Sequence, residues 1–483
     1  MQIKQIVLAV AAVLVAGQAA AAAVTQAEIV AARALPVSNP LHLQETWLTG
    51  ASAPTFNIYD GFALGCDAGT QHIFTNNATV GTGKPGSLGN IMAYACKRGG
   101  VVSVMYHNVD GGSFNAYAPH LTGTAPDGTA MPTNLSRVKN LGTVACTVSG
   151  TYVSTAYGNI PVEANCAKVN PVSAPDGAVA KPAGGFSDVE AALWGIDVSA
   201  AGAEADANVT QTFGLVVTPN LYRQLQVAQG IYASVALADA GDAAYDPTKA
   251  PNITRAQYIS IAQLGGGYQT DWQPLLGAAG MDKKVYLAKR VATSGTQASS
   301  NAFFLQNPCA SGSSQGQLFP AVLPNPIPTL VISEGSGTGN VKTSLTGINT
   351  AGNYGIGVVS AENNWRTESA ANAGYRFVKV DGVHPEGNGD VAMARNTAIK
   401  GDYNFVMEMK SFVANLGDDF GKALIPTIAA ALGNPGGGDP ARCVDVPRGL
   451  FLNPAGGSNC TIGIEVAKGT KYGNNCSPVQ LFY

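Results

Sequence analysis

Eight cysteines follow an N-terminal export signal in this chain of 483 residues, and this combination constrains the fold more than any other feature. The N-terminus has a positive charge at Lys4, an apolar run from Ile6 to Val15 and small residues from Ala19 to Ala23. These are the three parts of a secretory signal peptide. Because exported proteins mature in oxidising compartments, an even number of cysteines predicts disulfide bonds. We therefore expect a periplasmic or extracellular protein.

Proximity along the chain suggests how the cysteines pair, although the sequence alone leaves other connectivities open. No C-x-x-C pair is present, and the five histidines lack a second ligand at helical spacing, so we expect no metal site. The four predicted bridges join Cys66 with Cys96, Cys146 with Cys166, Cys460 with Cys476 and, as the remaining pair, Cys309 with Cys443.

The composition excludes two classes of function. Only 12% of the residues are charged and 46% are hydrophobic, but a bilayer-spanning helix needs about 20 consecutive apolar residues. The only candidate, Ile6 to Gly17, is too short and belongs to the signal peptide. A formal net charge of −3 without a basic cluster gives no electrostatic footprint for nucleic acid. We expect a mature chain without a membrane span and without a nucleic-acid partner.

Short runs rich in β-branched residues alternate with helix-like segments, which predicts an α/β fold. Helices are predicted over Ile253 to Leu264 and Asp402 to Leu416, the second because its apolar residues recur at spacings of three to four. Strands are predicted over Val101 to Tyr106, Thr212 to Thr218, Val285 to Val291, Thr329 to Ser333, Gly355 to Ser360 and Arg376 to Val380.

Three segments depart from this alternation. Gly65 to Ala95 and Gly123 to Gly184 are rich in turn residues, and one proposed local disulfide closes each of them. We expect both to be insertions on the surface that a disulfide staples shut. From about Gly433 the pattern gives way to Gly, Pro and Asn with three cysteines, which predicts a small cross-linked C-terminal tail.

The most specific candidate for chemistry is the segment from Lys289 to Thr296, which reads Lys-Arg-Val-Ala-Thr-Ser-Gly-Thr. A predicted strand ends there, a glycine permits a tight turn, and hydroxyl residues begin a helix-like stretch. Backbone N–H groups at the helix start, the hydroxyls of Ser294 and Thr296, and the Arg290 guanidinium would converge on one anion. The same residues also suit an ordinary helix cap without a ligand.

Three further turns have the same construction, and each is weak evidence alone. They are Leu48 to Phe56, Asn108 to Ser113 and Gly185 to Glu190. In this order, followed by Arg290 to Thr296, the four turns resemble those of the type 2 periplasmic solute-binding proteins of phosphate-uptake ABC transporters. Further similar segments are Phe213 to Tyr222, Ile253 to Trp272 and Tyr354 to Val358.

The resemblance implies two α/β lobes that are joined by crossing hinge strands and clamp an oxyanion between them. Its boundaries would be a signal peptide over 1–23, lobe one over 24–217 and 400–432, lobe two over 218–399, and a Cys-rich tail over 433–483. The ligand-binding residues that it implies are Thr55, Phe56, Gly112, Ser113, Asp188, Arg290, Ser294, Gly295 and Thr296.

Two of these assignments depend on the alignment. Thr55 and Phe56 hold the family's positions if Pro54 is a one-residue insertion, whereas without a gap Pro54 takes the place of the donor. Ser113 is the donor of the second turn, but aligning the two glycines of that turn places Val109 where the family often has serine.

Asp188 carries information about the ligand. A carboxylate that faces an anion is repulsive unless the anion brings a proton to share, so this position predicts selection of a protonated oxyanion such as hydrogen phosphate over sulfate. A polar group left without its partner can penalise the wrong ligand by about 10⁴-fold or more. Asp188 also suits a helix cap, and the two roles are compatible.

The chain departs from the family beside the arginine. Ala292 stands where the family usually has an aspartate that orients the arginine, and Asp110 adds a carboxylate to a turn that is normally neutral. We hypothesise that Asp110 replaces the missing partner and holds Arg290. If Asp110 instead points into the site, it would repel anions and favour a different or neutral ligand.

The favoured function is an exported solute-binding protein that holds phosphate or a related oxyanion without covalent chemistry, metal or cofactor, and that delivers it to an ABC permease. The alternative is a secreted structural or adhesive protein that keeps the fold with an altered site, which the stapled segments and the cysteine-rich tail suggest. A hydrolase has poor support, because neither a G-x-S-x-G nor an H-E-x-x-H motif is present.

Overall fold

The computed structural model describes residues 22–78, 88–132, 135–154, 156–242, 245–262, 271–310, 330–387, 391–454 and 459–482. The predicted signal peptide falls almost entirely outside these ranges, as does part of the segment from Ile253 to Trp272. In the part of the chain that is described, no helix is long and apolar enough to cross a membrane.

Helices and strands alternate along the chain, as an α/β fold requires. The helices are α1 (Gln26–Ala34), α2 (Thr55–Ala63), α3 (Pro219–Ala228), α4 (Val235–Asp242), α5 (Arg255–Ala262), α6 (Gln273–Leu276), α7 (Gly295–Leu305), α8 (Thr338–Thr350), α9 (Asn396–Ile399) and α10 (Asp419–Gly433). The strands are β1 (Gln44–Gly50), β2 (His72–Thr75), β3 (Ile91–Arg98), β4 (Val101–Asn108), β5 (Arg137–Val138), β6 (Val148–Ser154), β7 (Gly158–Ala164), β8 (Lys168–Val169), β9 (Gly184–Ser187), β10 (Gly202–Val217), β11 (Asn252–Ile253), β12 (Val285–Arg290), β13 (Leu330–Gly335), β14 (Tyr354–Ser360), β15 (Arg376–Phe377), β16 (Lys379–Val380), β17 (Val406–Ala414), β18 (Leu450–Leu452), β19 (Gly469–Thr470) and β20 (Gln480–Leu481).

One mixed sheet of 14 strands organises the molecule, in the order β13-β12-β14-β10-β17-β9-β1-β4-β3-β2-β7-β6, with β15 and β18 also paired to β10. β1 runs parallel to β4 and β9, and β12 runs parallel to β13 and β14. The long strand β10 connects these two parallel groups, because it pairs antiparallel with β17 through Thr212 and with β14 from Phe213 onward. The predicted α/β class is therefore confirmed.

The two largest hydrophobic cores lie at the two ends of β10, which contributes Val209 to one and Phe213 to the other. Helix α10 covers the first core. Asp418 caps its start by accepting a hydrogen bond from the Gly421 amide at 2.6 Å. The apolar face of α10 buries Ile425 and Ile428 against that core. This packing fixes the strands whose ends carry the candidate site.

The helix predicted over Asp402 to Leu416 is wrong, because residues 406–414 form strand β17 in the interior of the sheet. Both faces of an interior strand are covered, so apolar residues occur at every spacing, including the helical one. Met409 and Phe412 accordingly lie on opposite faces and are both buried. Apolar residues do recur at helical spacing in this segment, but the burial of both faces of β17 produces that spacing.

The two segments predicted to be surface insertions are instead integrated into the main sheet. Gly65 to Ala95 supplies β2 and the start of β3, with Phe74 and Tyr94 fully buried. Gly123 to Gly184 supplies the hairpin β6–β7, which extends the sheet because β7 pairs parallel with β2. Both predicted local disulfides are present: Cys66–Cys96 joins the start of the first segment to the residue after its end, and Cys146–Cys166 lies within the second.

The other two predicted disulfides are wrong. Cys309 pairs with Cys476, and Cys443 pairs with Cys460. The reason lies in the tail, which folds back over the molecule: β18 pairs with β10, and the final residues reach the end of helix α7. Proximity along the chain cannot reveal such a return.

Peptide mapping without reduction is expected to recover a peptide containing Cys309 linked to one containing Cys476. A second linked pair should join Cys443 to Cys460. The mass spectrum after digestion distinguishes this pattern from the one that chain proximity predicts, in which Cys460 is linked to Cys476. Recovery of a link between Cys460 and Cys476 would contradict the arrangement of the tail.

Candidate functional site

Three strand ends and one helix start meet at the candidate site. Ser113 follows β4, Asp188 follows β9, and Arg290 is the last residue of β12. Helix α7 begins five residues after Arg290, at Gly295. β4 and β9 both run parallel to β1, so their carboxyl ends lie on one edge of that part of the sheet. β12 runs in the opposite direction, and its carboxyl end meets theirs where Gly112 approaches Ser294 and Ser113 approaches Gly295. Three turns that are far apart in sequence are thereby brought together.

The glycine turn after β4 touches the start of helix α7. Gly112 has a φ of 88°, which an L side chain rarely adopts. A Cβ on Gly112 would lie 3.2 Å from the Ser294 Cα and 3.5 Å from an Arg290 nitrogen. The amide of Phe114 also donates to the Thr293 carbonyl at 3.2 Å. Glycine is therefore required here for close approach as well as for backbone conformation.

Ser113 and Asp188 meet directly across the site. The Ser113 hydroxyl donates to Asp188 Oδ2 at 2.7 Å, and both residues are buried. Gly295 packs on this pair: a Cβ there would lie 2.4 Å from Ser113 Oγ and 2.5 Å from Asp188 Oδ2. The start of α7 therefore leaves no room for a side chain beside the carboxylate.

Asp188 retains unused capacity to accept a hydrogen bond. Its Oδ1 atom is buried and has no hydrogen-bond partner among the described residues. Burial raises the pKa of Asp188, and the Ser113 hydrogen bond and the Arg290 charge only partly oppose that rise. A buried acceptor without a donor is costly. A ligand that brings a proton to Oδ1 would remove this cost.

Arg290 supplies the positive charge of the site and is only 6% exposed. Its guanidinium donates from Nη1 to the Thr338 hydroxyl and from Nη2 to the Ser336 carbonyl, both at 2.9 Å. Its Nε has no partner among the described residues. Burial lowers the pKa of Arg290 to about 10, although the carboxylates of Asp188 and Glu362 oppose that shift. The guanidinium therefore remains charged at neutral pH.

The start of helix α7 adds a second source of positive potential. Ser294 is its N-cap and makes no side-chain capping bond. The first amides of a helix have no intrahelical acceptor, and the helix dipole makes this end positive. Ser294 and Thr296 are both buried next to these amides. The Gln297 side chain accepts from the Arg290 amide at 3.2 Å, which ties the helix to β12.

Thr55 and Phe56 lie at the start of helix α2, and their contacts are made elsewhere. The Thr55 hydroxyl donates to the Ser52 carbonyl at 2.6 Å. The Phe56 ring packs at 6.1 Å from the Tyr152 ring in a hydrophobic core. Pro54 occupies the N-cap of this helix. Seven of the nine predicted ligand-binding residues therefore lie together at the candidate site. Among the described residues, no contact joins Thr55 or Phe56 to those seven.

The hypothesis that Asp110 holds Arg290 is wrong. Asp110 is exposed, and its backbone is fixed locally by Asn108 and Asn115. Arg290 is instead oriented by Ser336, just after β13, and by Thr338, the first residue of helix α8. No sequence motif points to these two residues, because they are 46 and 48 positions from Arg290.

Trp194 contacts the turn after β12 at Ala292. Its indole Nε1 donates to the Ala292 carbonyl at 3.0 Å, and its ring lies 5.3 Å from the Phe114 ring in an edge-to-face contact. Trp194 joins the segment after β9 to the turn after β12, a position that no local motif indicates.

No cluster of three or more histidine, cysteine, aspartate or glutamate side chains suited to a metal ion occurs within the described residues. Comparisons of the chain with models of known protein families and with curated proteins find no match. The arrangement can therefore be interpreted only from its own geometry: one guanidinium, one helix start, one hydroxyl and one protonatable carboxylate.

Replacing Asp188 with Asn is expected to stabilise the ligand-free protein at neutral pH. Burial raises the folded-state pKa of Asp188 above its usual value of 3.8, so the stability that it contributes is present at acid pH and is lost as pH rises through the folded pKa. Asn keeps the acceptor for Ser113 without the buried charge. Urea unfolding of both proteins should give equal stability near pH 4 and a more stable variant at neutral pH. A variant that is less stable at neutral pH would contradict this electrostatic account.

Proposed function

We propose that this chain is an exported solute-binding protein of the type 2 periplasmic kind that clamps phosphate or a related oxyanion. One observation carries the proposal: Ser113, Asp188 and the turn from Arg290 to the start of helix α7 converge from three separate turns, and Asp188 Oδ1 and Arg290 Nε are buried there without hydrogen-bond partners among the described residues. Asp188 Oδ1 is a hydrogen-bond acceptor and Arg290 Nε is a hydrogen-bond donor. A ligand that both donates and accepts hydrogen bonds would satisfy the two atoms.

The strand order supports two lobes joined by a hinge. β13-β12-β14-β10-β15 forms one group and β4-β1-β9-β17-β10 forms the other, and β10 passes between them. We assign lobe one to 24–217 and 400–432, lobe two to 218–399, and the tail to 433–483. In this assignment Ser113 and Asp188 belong to lobe one, and Arg290 and α7 belong to lobe two. Closure of the lobes would complete the site.

Each group has a distinct role in the proposed complex. Arg290 and the amides at the start of α7 balance the charge of the anion, and Ser113 and Thr296 supply hydroxyls. Asp188 accepts the anion's proton, which favours hydrogen phosphate over sulfate. No bond is made or broken, and neither a metal nor a cofactor takes part. An ABC permease that receives the anion is the partner we propose, with the protein in the periplasm or outside the cell.

One observation favours the alternative of a secreted structural or adhesive protein with an altered site. Ser113 and Asp188 already satisfy each other in part, and both Nη atoms of Arg290 donate to protein acceptors. In that case the groups would stabilise a closed, ligand-free molecule. The two functions differ in a measurable way, because only the first predicts a stoichiometric anion complex.

Isothermal titration calorimetry of the unfolded, dialysed and refolded mature protein tests the proposal. Phosphate at neutral pH is expected to bind with one site per chain and micromolar or tighter affinity, and sulfate is expected to bind far more weakly. If the refolded protein has a native circular dichroism spectrum and gives no heat with either anion, the alternative function replaces this one.

A further inference from the structure

The tail returns to the candidate site through a loop from Lys471 to Cys476. This loop lies against two buried carboxylates of the main sheet region, those of Glu190 and Glu408, which are 6% and 3% exposed. Buried carboxylates need hydrogen-bond donors, and here the tail provides them. The loop is therefore part of the interior rather than an appendage.

Asn475 is the residue that joins the loop to the Asp188 turn. Its amide donates to Glu190 Oε1 at 2.8 Å, and its Nδ2 donates to Glu190 Oε2. Glu190 lies two residues after Asp188 and directly precedes the short 3-10 helix Ala191–Trp194, which ends at the tryptophan that contacts Ala292. A shift of Glu190 would move both Asp188 and this contact.

Glu408 anchors the same loop to strand β17. Its carboxylate accepts from the amides of Lys471 and Gly473, both at 2.6 Å. Its own amide donates to Asn475 Oδ1 at 2.7 Å, and Asn475 Nδ2 also donates to its carbonyl at 3.0 Å. Every polar atom of the Asn475 side chain is thus engaged, which leaves it one orientation.

The disulfide Cys309–Cys476 connects this loop to the other half of the site. Cys476 follows Asn475 directly, and Cys309 lies four residues beyond the end of helix α7. The opposite end of α7 packs on the Ser113–Asp188 pair through Gly295. The loop therefore contacts Glu190, in the turn after Asp188, through Asn475. Its next residue, Cys476, is covalently joined to the segment that follows helix α7.

We infer that Asn475 is a positioning residue of the oxyanion site, which sets the Asp188 turn relative to helix α7 through Glu190 and the neighbouring disulfide. The inference rests on the proposed function, because it gives the tail a role in the affinity of that site. A loop with a purely structural role would change the stability of the fold and leave anion affinity unchanged.

The test uses the full mature protein and inorganic phosphate. Asn475→Ala removes the one hydrogen bond of the side chain with Glu190 and its two with Glu408. We expect about tenfold weaker phosphate binding because a buried carboxylate loses a donor. Glu190→Gln should weaken binding similarly, since its amide nitrogen would face Nδ2 of Asn475. Asn404→Ala, an exposed position beside the same loop, is the matched control and should bind as the wild type does.

A double-mutant cycle separates positioning from stability. In the double variant Glu190→Gln with Asn475→Ala, both partners of the Glu190–Asn475 hydrogen bond are changed. If Asn475 acts through Glu190, the two effects overlap, and we expect the double variant to bind phosphate within about threefold of Asn475→Ala, a non-additivity typical of residues in contact. Urea unfolding of each variant measures stability separately.

The outcomes are distinct. Weaker binding by Asn475→Ala, with the double variant within about threefold of it, supports the inference. Wild-type affinity in Asn475→Ala, or a double variant in which the two single effects multiply, overturns the inference and leaves the proposed function intact. Absence of phosphate binding by the wild type overturns both. If Asn475→Ala does not fold, Cys309→Ser with Cys476→Ser tests the same connection, and unchanged affinity there overturns the inference.

Discussion

Arg290→Ala is expected to weaken phosphate binding by about a hundredfold or more. Removing one partner of a buried, hydrogen-bonded charge pair costs about 2–5 kcal/mol, and Arg290 is a buried guanidinium within reach of Asp188 and the start of helix α7. Its loss leaves the negative charge of Asp188 facing the anion. Calorimetric titration with phosphate at neutral pH measures the change directly.

Two further variants show whether the loss of phosphate affinity in Arg290→Ala comes from this site or from the overall charge of the protein. Arg290→Lys keeps the charge but cannot reproduce the paired donation to Thr338 and Ser336, so intermediate affinity is expected. Arg255→Ala removes an exposed arginine that pairs with Asp381 and should leave affinity unchanged. Equal weakening by Arg255→Ala and Arg290→Ala would mean that the effect is one of overall charge and not of this site.

Gly295→Ala is expected to abolish measurable phosphate binding while the protein still folds. The new methyl group would lie 2.4 Å from Ser113 Oγ and 2.5 Å from Asp188 Oδ2, well inside van der Waals contact. To relieve this overlap, either the Ser113–Asp188 hydrogen bond must break or the start of α7 must move away. Both changes remove the geometry that an anion needs, and a displacement of about 1 Å can cost about a hundredfold.

The matched control lies in helix α8. Gly347 has no atom within 4 Å of a Cβ placed on it, so Gly347→Ala should leave phosphate affinity unchanged. It should also stabilise the fold by about 0.5–1 kcal/mol, because alanine loses less backbone entropy in a helix. If Gly295→Ala binds phosphate as tightly as Gly347→Ala does, the packing described for the start of α7 is not part of a binding site.

The sequence predicted which residues lie near each other better than it predicted their partners. Hydroxyl and glycine residues at strand ends pointed to Ser113 and Gly295, the resemblance pointed to Asp188, and the structure brings these three into contact. Their role as ligand-binding residues stays a prediction. The proximity of Ser113 and Asp188 has a physical basis, since β4 and β9 run parallel to β1 and end on the same edge. Thr338 and the Ser336 carbonyl were missed because a hydroxyl and a backbone oxygen have no sequence signature.

The errors in the fold prediction have equally specific causes. Helical spacing over residues 402–416 misled because β17 is buried on both faces, which removes the alternation that identifies a strand. Chain proximity found the disulfides with separations of 30 and 20 residues and failed at Cys309–Cys476, which spans 167. A bridge of that length depends on how the whole tail packs, and no local pattern encodes it.

Crystals of the mature protein grown with arsenate would test the central claim most directly. Arsenate has the shape and protonation of phosphate, and its anomalous scattering locates it without reference to the protein density. The account predicts one strong anomalous peak within hydrogen-bond distance of Arg290, Ser113 and the amides at the start of helix α7. A peak only elsewhere, or none there in a closed molecule, would contradict it.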